Sequence, residues 1–222
     1  MMDADIAAYG AKRAYDSVRP ATAIPLLFRG KTVKMWSGPA KCTPEPGSRV
    51  CTHKPWVEPG SSVCTYKPWV EPGSRVCTYK PWVEKDGGQW IPYQPATSPT
   101  PASPEYVSET SAESAAAARV LALFTGSDRF GYSMPVEKGS SRIEPGITPT
   151  QPLTLKWETF TEAADDAGLA GRYAGIHFAA ADLAGRKLGR LAADRAFARA
   201  QLYFSGTLTP RAAEQHVTRC TH

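Results

Sequence analysis

A tandem repeat of 13 residues divides this chain into two kinds of sequence. Copies begin at Cys51, Cys64 and Cys77, and a shortened copy begins at Cys42. Most copies contain Lys-Pro-Trp and Glu-Pro-Gly, so a proline recurs every few residues, which prevents a helix and breaks any central strand. The repeat therefore predicts extended pieces and turns, and we expect residues 42–86 to form a flexible insertion.

The residues alone leave two interpretations of the repeat open: a flexible inserted loop and a linear binding module. Trp56, Trp69 and Trp82 recur at equal spacing, each in a Lys-Pro-Trp triplet, and such rings stack on sugars or on proline-rich peptides. The chain would then be a non-catalytic binding protein. The repeat cysteines are 9, 13 and 13 residues apart, which is too wide for a typical zinc site. Disulfides stay open for an exported protein, with a pairing that the sequence does not give.

The rest of the chain predicts helices. Four segments have helical composition or periodicity: 3–18, 111–124, 159–167 and 179–203. Pro20 stops the first, because the residue before a proline is pushed out of the helical region. The last segment carries alanine and leucine at helical spacings on one face. We therefore expect an all-α fold, a helical-bundle fragment with long loops rich in proline and glycine.

Length and composition predict one domain with an insertion. At 222 residues the chain is long enough to bury one sizeable core. We expect four parts: a first helix with a Lys/Arg motif in 1–41, the repeat insertion in 42–86, a helical region in 87–206 and a tail in 207–222.

The charge pattern restricts the kinds of ligand and partner that we expect. A net charge of +5 suits an anionic ligand, but no run of five like charges occurs, so nucleic acid is not an expected partner. The longest apolar stretch, 115–124, is interrupted by Arg119 and is shorter than the roughly 20 residues of a membrane span. The first residues carry acids where a signal peptide needs a basic region. We expect no signal peptide and no membrane span, and the localisation stays unknown.

Lys12 and the Arg19-Pro20 pair form the first candidate site. Seven residues at about 100° each leave the two cations about 20° apart on one helix face, so both are expected to reach one anion. An isolated pair of this kind also occurs on the solvated edge of a basic helix. Two further segments of the chain favour an anion-binding role for Lys12 and Arg19 over a solvated helix edge.

The second segment is a predicted helix start. It reads Ser108-Glu109-Thr110-Ser111, and Thr110 with Glu113 fits a capping box. A helix start favours anions, because its free N–H groups and the macrodipole point towards them.

The third segment, 171–182, contains Arg172, His177 and Asp182 and precedes the longest predicted helix. Together the three segments resemble the active-site motifs of vanadium-dependent haloperoxidases and type 2 phosphatidic acid phosphatases. The resemblance implies a helical bundle of that type and a vanadate or phosphate ligand. The oxyanion-binding residues that it implies are Lys12, Arg19, Ser108 and Arg172. It further implies that His177 ligates vanadium or attacks phosphorus, and that Asp182 orients this histidine.

The chain departs from the family motifs at three positions. Glu109 and Thr110 stand where the family has glycine and histidine, and Gly171 stands where it has arginine. A carboxylate about 4 Å from a bound oxyanion repels it by about 4 kcal/mol at an effective dielectric of about 20. Threonine does not shuttle protons at neutral pH. The resemblance thus implies a peroxide-dependent halide oxidation, or a phosphatase activity, whose turnover is weak or lost; a truncated relic is the alternative.

Family members are also longer than this chain. The resemblance therefore implies that an N-terminal half of the bundle is missing or supplied by a partner, and a homo-oligomer is a further expectation.

Overall fold

The computed structural model describes residues 1–39, 81–95 and 97–207, and also the backbone of the short strands at 42–43, 50–52, 63–65 and 76–77. Most of the predicted flexible insertion lies outside the described residues, as do Trp56, Trp69 and the tail from 208. Within the described ranges, no helix has the length and apolar character to cross a membrane.

Five helices form the body of the described structure: α1 (Met2–Tyr15), α2 (Pro20–Leu27), α3 (Glu109–Thr125), α4 (Phe160–Tyr173) and α5 (Ala179–Phe204). Helix α3 packs against α4 and α5, and α1 packs against both α3 and α5. The predicted helical bundle is confirmed.

Helix α2 and the loop before it change the geometry of the Lys12 and Arg19 motif. Helix α1 ends at Tyr15, and Arg19 is the N-cap of α2, whose first residue is Pro20. Proline suits this position because its fixed φ fits a helix start and its missing N–H is not needed there. The prediction that Lys12 and Arg19 share one helix face is therefore wrong, and a turn at Asp16 separates them.

The starts of α3 and α4 are capped by side chains. Ser108 is the N-cap of α3, and its hydroxyl accepts a hydrogen bond from Ser111 N at 3.2 Å. The predicted N-cap, Thr110, is wrong by two residues. The helix already begins at Glu109, and the Ser108 hydroxyl caps it. Thr159 and Glu162 form a capping box at the start of α4.

Small residues let α3, α4 and α5 approach closely. The buried core includes Ala112, Ala116 and Ala193, and alanine adds little distance between helix backbones. A Cβ on Gly189 of α5 would overlap the carbonyl oxygen of Ala112, and a Cβ on Gly168 of α4 would overlap the Asp182 carboxylate. This close packing brings the start of α3 beside the start of α5.

Three small sheets accompany the helices. Strands β1 (Thr32–Trp36) and β6 (Trp82–Asp86) pair antiparallel, so the third repeat copy continues into an ordered strand. Strands β7 (Arg129–Val136) and β8 (Leu153–Thr159) form an antiparallel hairpin before α4. The four remaining strands, in the order β2-β5-β3-β4, form the third sheet. They are β2 (Cys42–Thr43), β3 (Val50–Thr52), β4 (Val63–Thr65) and β5 (Val76–Cys77).

Candidate functional site

Three nitrogen-bearing side chains meet at the carboxylate of Glu109. The Glu109 Oε2 atom lies 2.9 Å from Lys12 Nζ and 3.7 Å from His177 Nε2. The Oε1 atom lies 4.0 Å from Arg19 Nη2. These residues come from α1, from the start of α2, from the start of α3 and from the turn before α5, so the cluster depends on the packing of these segments.

Main-chain carbonyl groups hold the Lys12 ammonium in place. Lys12 is 1% exposed, and its Nζ atom donates to Pro104 O at 2.6 Å and to Glu105 O at 3.3 Å. A buried ammonium needs such acceptors, because it has lost its hydration. The segment before α3 therefore fixes the first cation of the cluster.

Arg19 is held in the same way. Its Nε atom donates to Ser103 O at 2.7 Å, its Nη2 atom to Ser103 Oγ at 3.0 Å, and its Nη1 atom to Ile176 O at 3.1 Å. Burial lowers the pKa of the Arg19 guanidinium, and the carboxylates of Glu109 and Glu105 offset part of that effect. The guanidinium thus bridges the segment before α3 and the turn before α5.

His177 is oriented by a buried carboxylate, that of Glu105. Glu105 Oε1 lies 3.1 Å from His177 Nδ1 and also accepts from Phe178 N at 2.8 Å. On the other side of the ring, Arg19 Nη1 lies 3.4 Å from Nε2. In the neutral tautomer that carries its proton on Nδ1, the ring donates to Glu105 and Nε2 accepts from Arg19. The Nε2 atom faces the Glu109 carboxylate.

Glu109 is the first residue of α3, where the macrodipole also favours a negative charge. Burial raises the pKa of its carboxyl, but the contact with Lys12, its own backbone N–H and the nearby His177 together outweigh burial, so that the pKa lies below the ordinary value. Glu109 is therefore an anion held by the cations around it.

A second buried carboxylate, Asp182, is held by different partners. Asp182 Oδ1 accepts from Ser111 Oγ at 2.9 Å, and Arg186 binds both oxygens at 2.7 Å. Ser108 Oγ lies 2.9 Å from Ser111 Oγ and is the donor in this contact, because the single Ser111 hydroxyl proton goes to Asp182. Arg172 Nη1 lies 3.6 Å from Asp182 Oδ2. Burial raises the pKa of Asp182, and the hydrogen bonds from Arg186 and Ser111 outweigh this effect, so that it lies below the ordinary value.

The structure thus divides the residues that the sequence singled out. Lys12, Arg19 and His177 lie together, whereas the remaining three lie in the Asp182 network: Ser108, Arg172 and Asp182. The carboxylate at His177 is that of Glu105, which sequence reasoning missed. The only signal for it was its place in the Pro-Glu-Tyr-Val-Ser flank before α3.

The two other departures from the family motifs also have a place in the structure. A Cβ on Gly171 would lie 3.5 Å from His177 Cδ2, an ordinary van der Waals distance, so this position faces the histidine ring and accepts a Cβ. Thr110 is exposed at the start of α3.

A cavity of about 360 Å³ borders His177. Apolar and aromatic side chains line most of it, including Trp90 and Tyr173, and Arg172 reaches it from α4. A cavity of this size takes a small organic molecule. Arg172 therefore faces the cavity and Asp182 rather than the Glu109 cluster.

Comparison with known families gives one match over most of the chain. The model of the VCPO second helical-bundle domain matches residues 1–59 and 70–206. No curated protein sequence matches the chain.

Two solved structures share this fold. They are the holo and apo forms of a bacterial vanadium-dependent chloroperoxidase, each 22% identical to this chain, with TM-scores of 0.60 and 0.61. Each similarity covers 85% of this chain but only 31% and 32% of the chloroperoxidase chains. The chain therefore spans about a third of the length of these proteins.

Proposed function

Because this chain belongs to the family of the VCPO second helical-bundle domain, we propose that it is a haloperoxidase-like domain with a site for vanadate or phosphate and with weak or lost turnover. The family assignment confirms the superfamily resemblance that the three sequence segments indicated. The oxyanion site and its activity are the proposed part.

The meeting of Lys12, Arg19 and His177 Nε2 at one point supports this proposal. An ammonium and a guanidinium at one point bind an oxyanion through charge-assisted hydrogen bonds. In the family, bound vanadate supplies halide oxidation by peroxide, and phosphate esters are the substrates of the related phosphatases. Under the proposal, Lys12 and Arg19 hold the oxyanion, and His177 Nε2 faces it.

Two residues of the cluster region oppose turnover. Thr110 has no acid/base group at neutral pH, and a positioned acid/base contributes typically 10²- to 10⁴-fold in rate. Glu109 Oε2 lies 2.9 Å from Lys12 Nζ, so the residues present do not fit a bound dianion while this carboxylate stays in place. The site therefore has the lysine and the first arginine of the family motifs, Lys12 and Arg19, but not the second arginine or the acid/base histidine.

Calorimetry with orthovanadate and with inorganic phosphate at neutral pH tests the proposal. We expect a dissociation constant of about 1 mM or weaker for the natural chain, and still weaker binding for Lys12→Met. A sub-micromolar dissociation constant for the natural chain would contradict a spoiled site, and an affinity unchanged in Lys12→Met would place the anion elsewhere.

A further inference from the structure

The Glu109 carboxylate lies where the cations of the cluster converge, rather than beside that place. Its Oε2 atom contacts both Lys12 Nζ and His177 Nε2, and its Oε1 atom faces Arg19. An external oxyanion that touches the same three groups needs the space that this carboxylate fills.

Charge balance gives Glu109 a reason to be there. The side chains of Lys12, Arg19 and His177 are 1%, 6% and 2% exposed. Two buried cations without a counter-ion are costly, because the protein interior replaces their hydration poorly. Glu105 is hydrogen-bonded to His177 and Phe178 and acts on Arg19 only through its charge, so Glu109 is the carboxylate that contacts both cations.

The Glu109 side chain can also rotate out of the cluster towards solvent. Glu109 is 20% exposed, and it stands at the first position of α3, so its rotation towards solvent leaves the helix hydrogen bonds intact. Lys12 and Arg19 keep their main-chain acceptors when Glu109 leaves, since those bonds run to Pro104 and Ser103.

We propose that Glu109 is an intramolecular ligand of the oxyanion site: its carboxylate substitutes for a small tetrahedral oxyanion between Lys12, Arg19 and His177, and an external oxyanion binds only after this side chain has moved out. This inference deepens the proposed function and rests on it. Under this inference Glu109 does not repel the oxyanion from a neighbouring position. The carboxylate and the oxyanion compete for the same position between the cations.

Three variants separate occupancy from repulsion: Glu109→Ala, Glu109→Gln and the control Glu113→Ala, which removes a carboxylate one turn further along α3. Phosphate and orthovanadate affinities are measured by calorimetry, and acetate is the third probe. For Glu109→Ala we expect binding about 10- to 100-fold tighter than in the natural chain, the gain of a hydrogen-bonded charge contact. We expect a smaller gain for Glu109→Gln, because the amide removes the charge but still fills the space, and no gain for Glu113→Ala.

Acetate tests the occupancy without relying on the oxyanion. It should raise the melting temperature of Glu109→Ala, because it restores the missing carboxylate, and leave the natural chain unchanged. Equal oxyanion affinities for Glu109→Ala and Glu109→Gln, or for Glu109→Ala and the natural chain, would overturn the inference while leaving the proposed oxyanion site standing. Stabilisation of Glu109→Ala by acetate without any binding of phosphate or vanadate would support the internal ligand and overturn the proposed function. A folded Glu109→Ala that binds none of the three probes would overturn both.

Discussion

Two carboxylates of the bundle, Glu109 and Asp182, both have a pKa below the ordinary value, yet their surroundings differ. Asp182 is fully buried, and donors from α3 and α5 bind both of its oxygens. Glu109 is partly exposed and lies among cations that already have other acceptors. Asp182 therefore fastens helices together, whereas Glu109 balances charge in a place that another anion can take.

This difference separates stability from function within one small region. In the Asp182 network the carboxylate joins Ser111 of α3 to Arg186 of α5, and Arg186 also binds Asp165 of α4, so the loss of Asp182 uncouples contacts between three helices. In the Glu109 cluster the cations keep their positions without it. We therefore expect changes at Asp182 to act on folding and changes at Glu109 to act on binding and turnover.

The largest expected effect is a restoration of activity at the Glu109 cluster. The triple change Glu109→Gly, Thr110→His and Gly171→Arg removes the internal carboxylate, adds an acid/base group and adds a cation facing His177. We expect bromination of a phenol-red-type dye, with vanadate, bromide and peroxide supplied, to rise by about 10²- to 10⁴-fold.

Addition of Lys12→Met to the triple variant is the matched control and should abolish the gain. A folded triple variant that binds vanadate but brominates no faster than the natural chain would show that these three positions are not what limits turnover.

The next effect concerns the Asp182 network. Asp182→Ala leaves Arg186 without its bidentate partner, and breaking a buried ion pair costs about 3–5 kcal/mol in the free energy of unfolding. Urea denaturation followed by circular dichroism measures the loss. The control is Asp194→Ala, which breaks the exposed pair with Arg119 and should cost about 1 kcal/mol or less. Equal losses in the two variants would contradict a fastening role for Asp182.

Close packing at α4 should be sensitive to one added methyl group. A Cβ at position 168 would overlap Asp182 Oδ1 and Ser111 Oγ, so Gly168→Ala is expected to lower the free energy of unfolding by about 1–3 kcal/mol. Gly10→Ala in α1 is the matched control, because no atom lies near its added Cβ; it should stabilise by about 0.5–1 kcal/mol. Oxyanion affinity should stay unchanged in Gly168→Ala if the two regions act separately.

Acid should reveal the Asp182 network as a loss of stability. The pKa of Asp182 is lowered in the folded protein, so its contribution is present above the ordinary value of 3.8 and is lost as pH falls through the lower folded value. Urea midpoints between about pH 5 and pH 2 should fall more steeply for the natural chain than for Asp182→Asn. Parallel curves would mean that Asp182 does not contribute to the acid transition.

The smallest effect has the opposite sign and concerns Glu113. Burial raises the pKa of Glu113, with the charges of Asp5 and Glu109 adding to it, so its contribution is present below the ordinary value of 4.5 and is lost as pH rises through the raised value. Glu113→Gln should therefore raise the free energy of unfolding at neutral pH by less than about 0.5 kcal/mol, and should not raise it in acid. Thermal unfolding at the two pH values measures the difference. The exposed Glu137→Gln should show no such difference between the two conditions.

The helices could be predicted from the sequence because their signals are local. Apolar periodicity placed α5 at 179–203, close to Ala179–Phe204 in the structure. Helix α2 was missed because Pro20 was interpreted only as a stop, although proline is equally suited to the first position of a helix.

The site could be predicted only in part, because its contacts are long-range. The motifs indicated Lys12, Arg19 and His177, but not that Glu105 supports the histidine. Glu109 was expected to repel an anion, since a sequence does not show whether a carboxylate stands beside a ligand or in its place.

Arg19 has a consequence for the order of folding. Its guanidinium joins Ser103 and Ile176, which lie 84 and 157 residues away along the chain. Contacts of such separation form after local helices, because a long loop must close before they contribute. The Glu109 cluster should therefore be among the last features to assemble during refolding, later than the helical signal in far-ultraviolet circular dichroism. A newly made chain should acquire this cluster only once residues near both ends of the bundle have been synthesised.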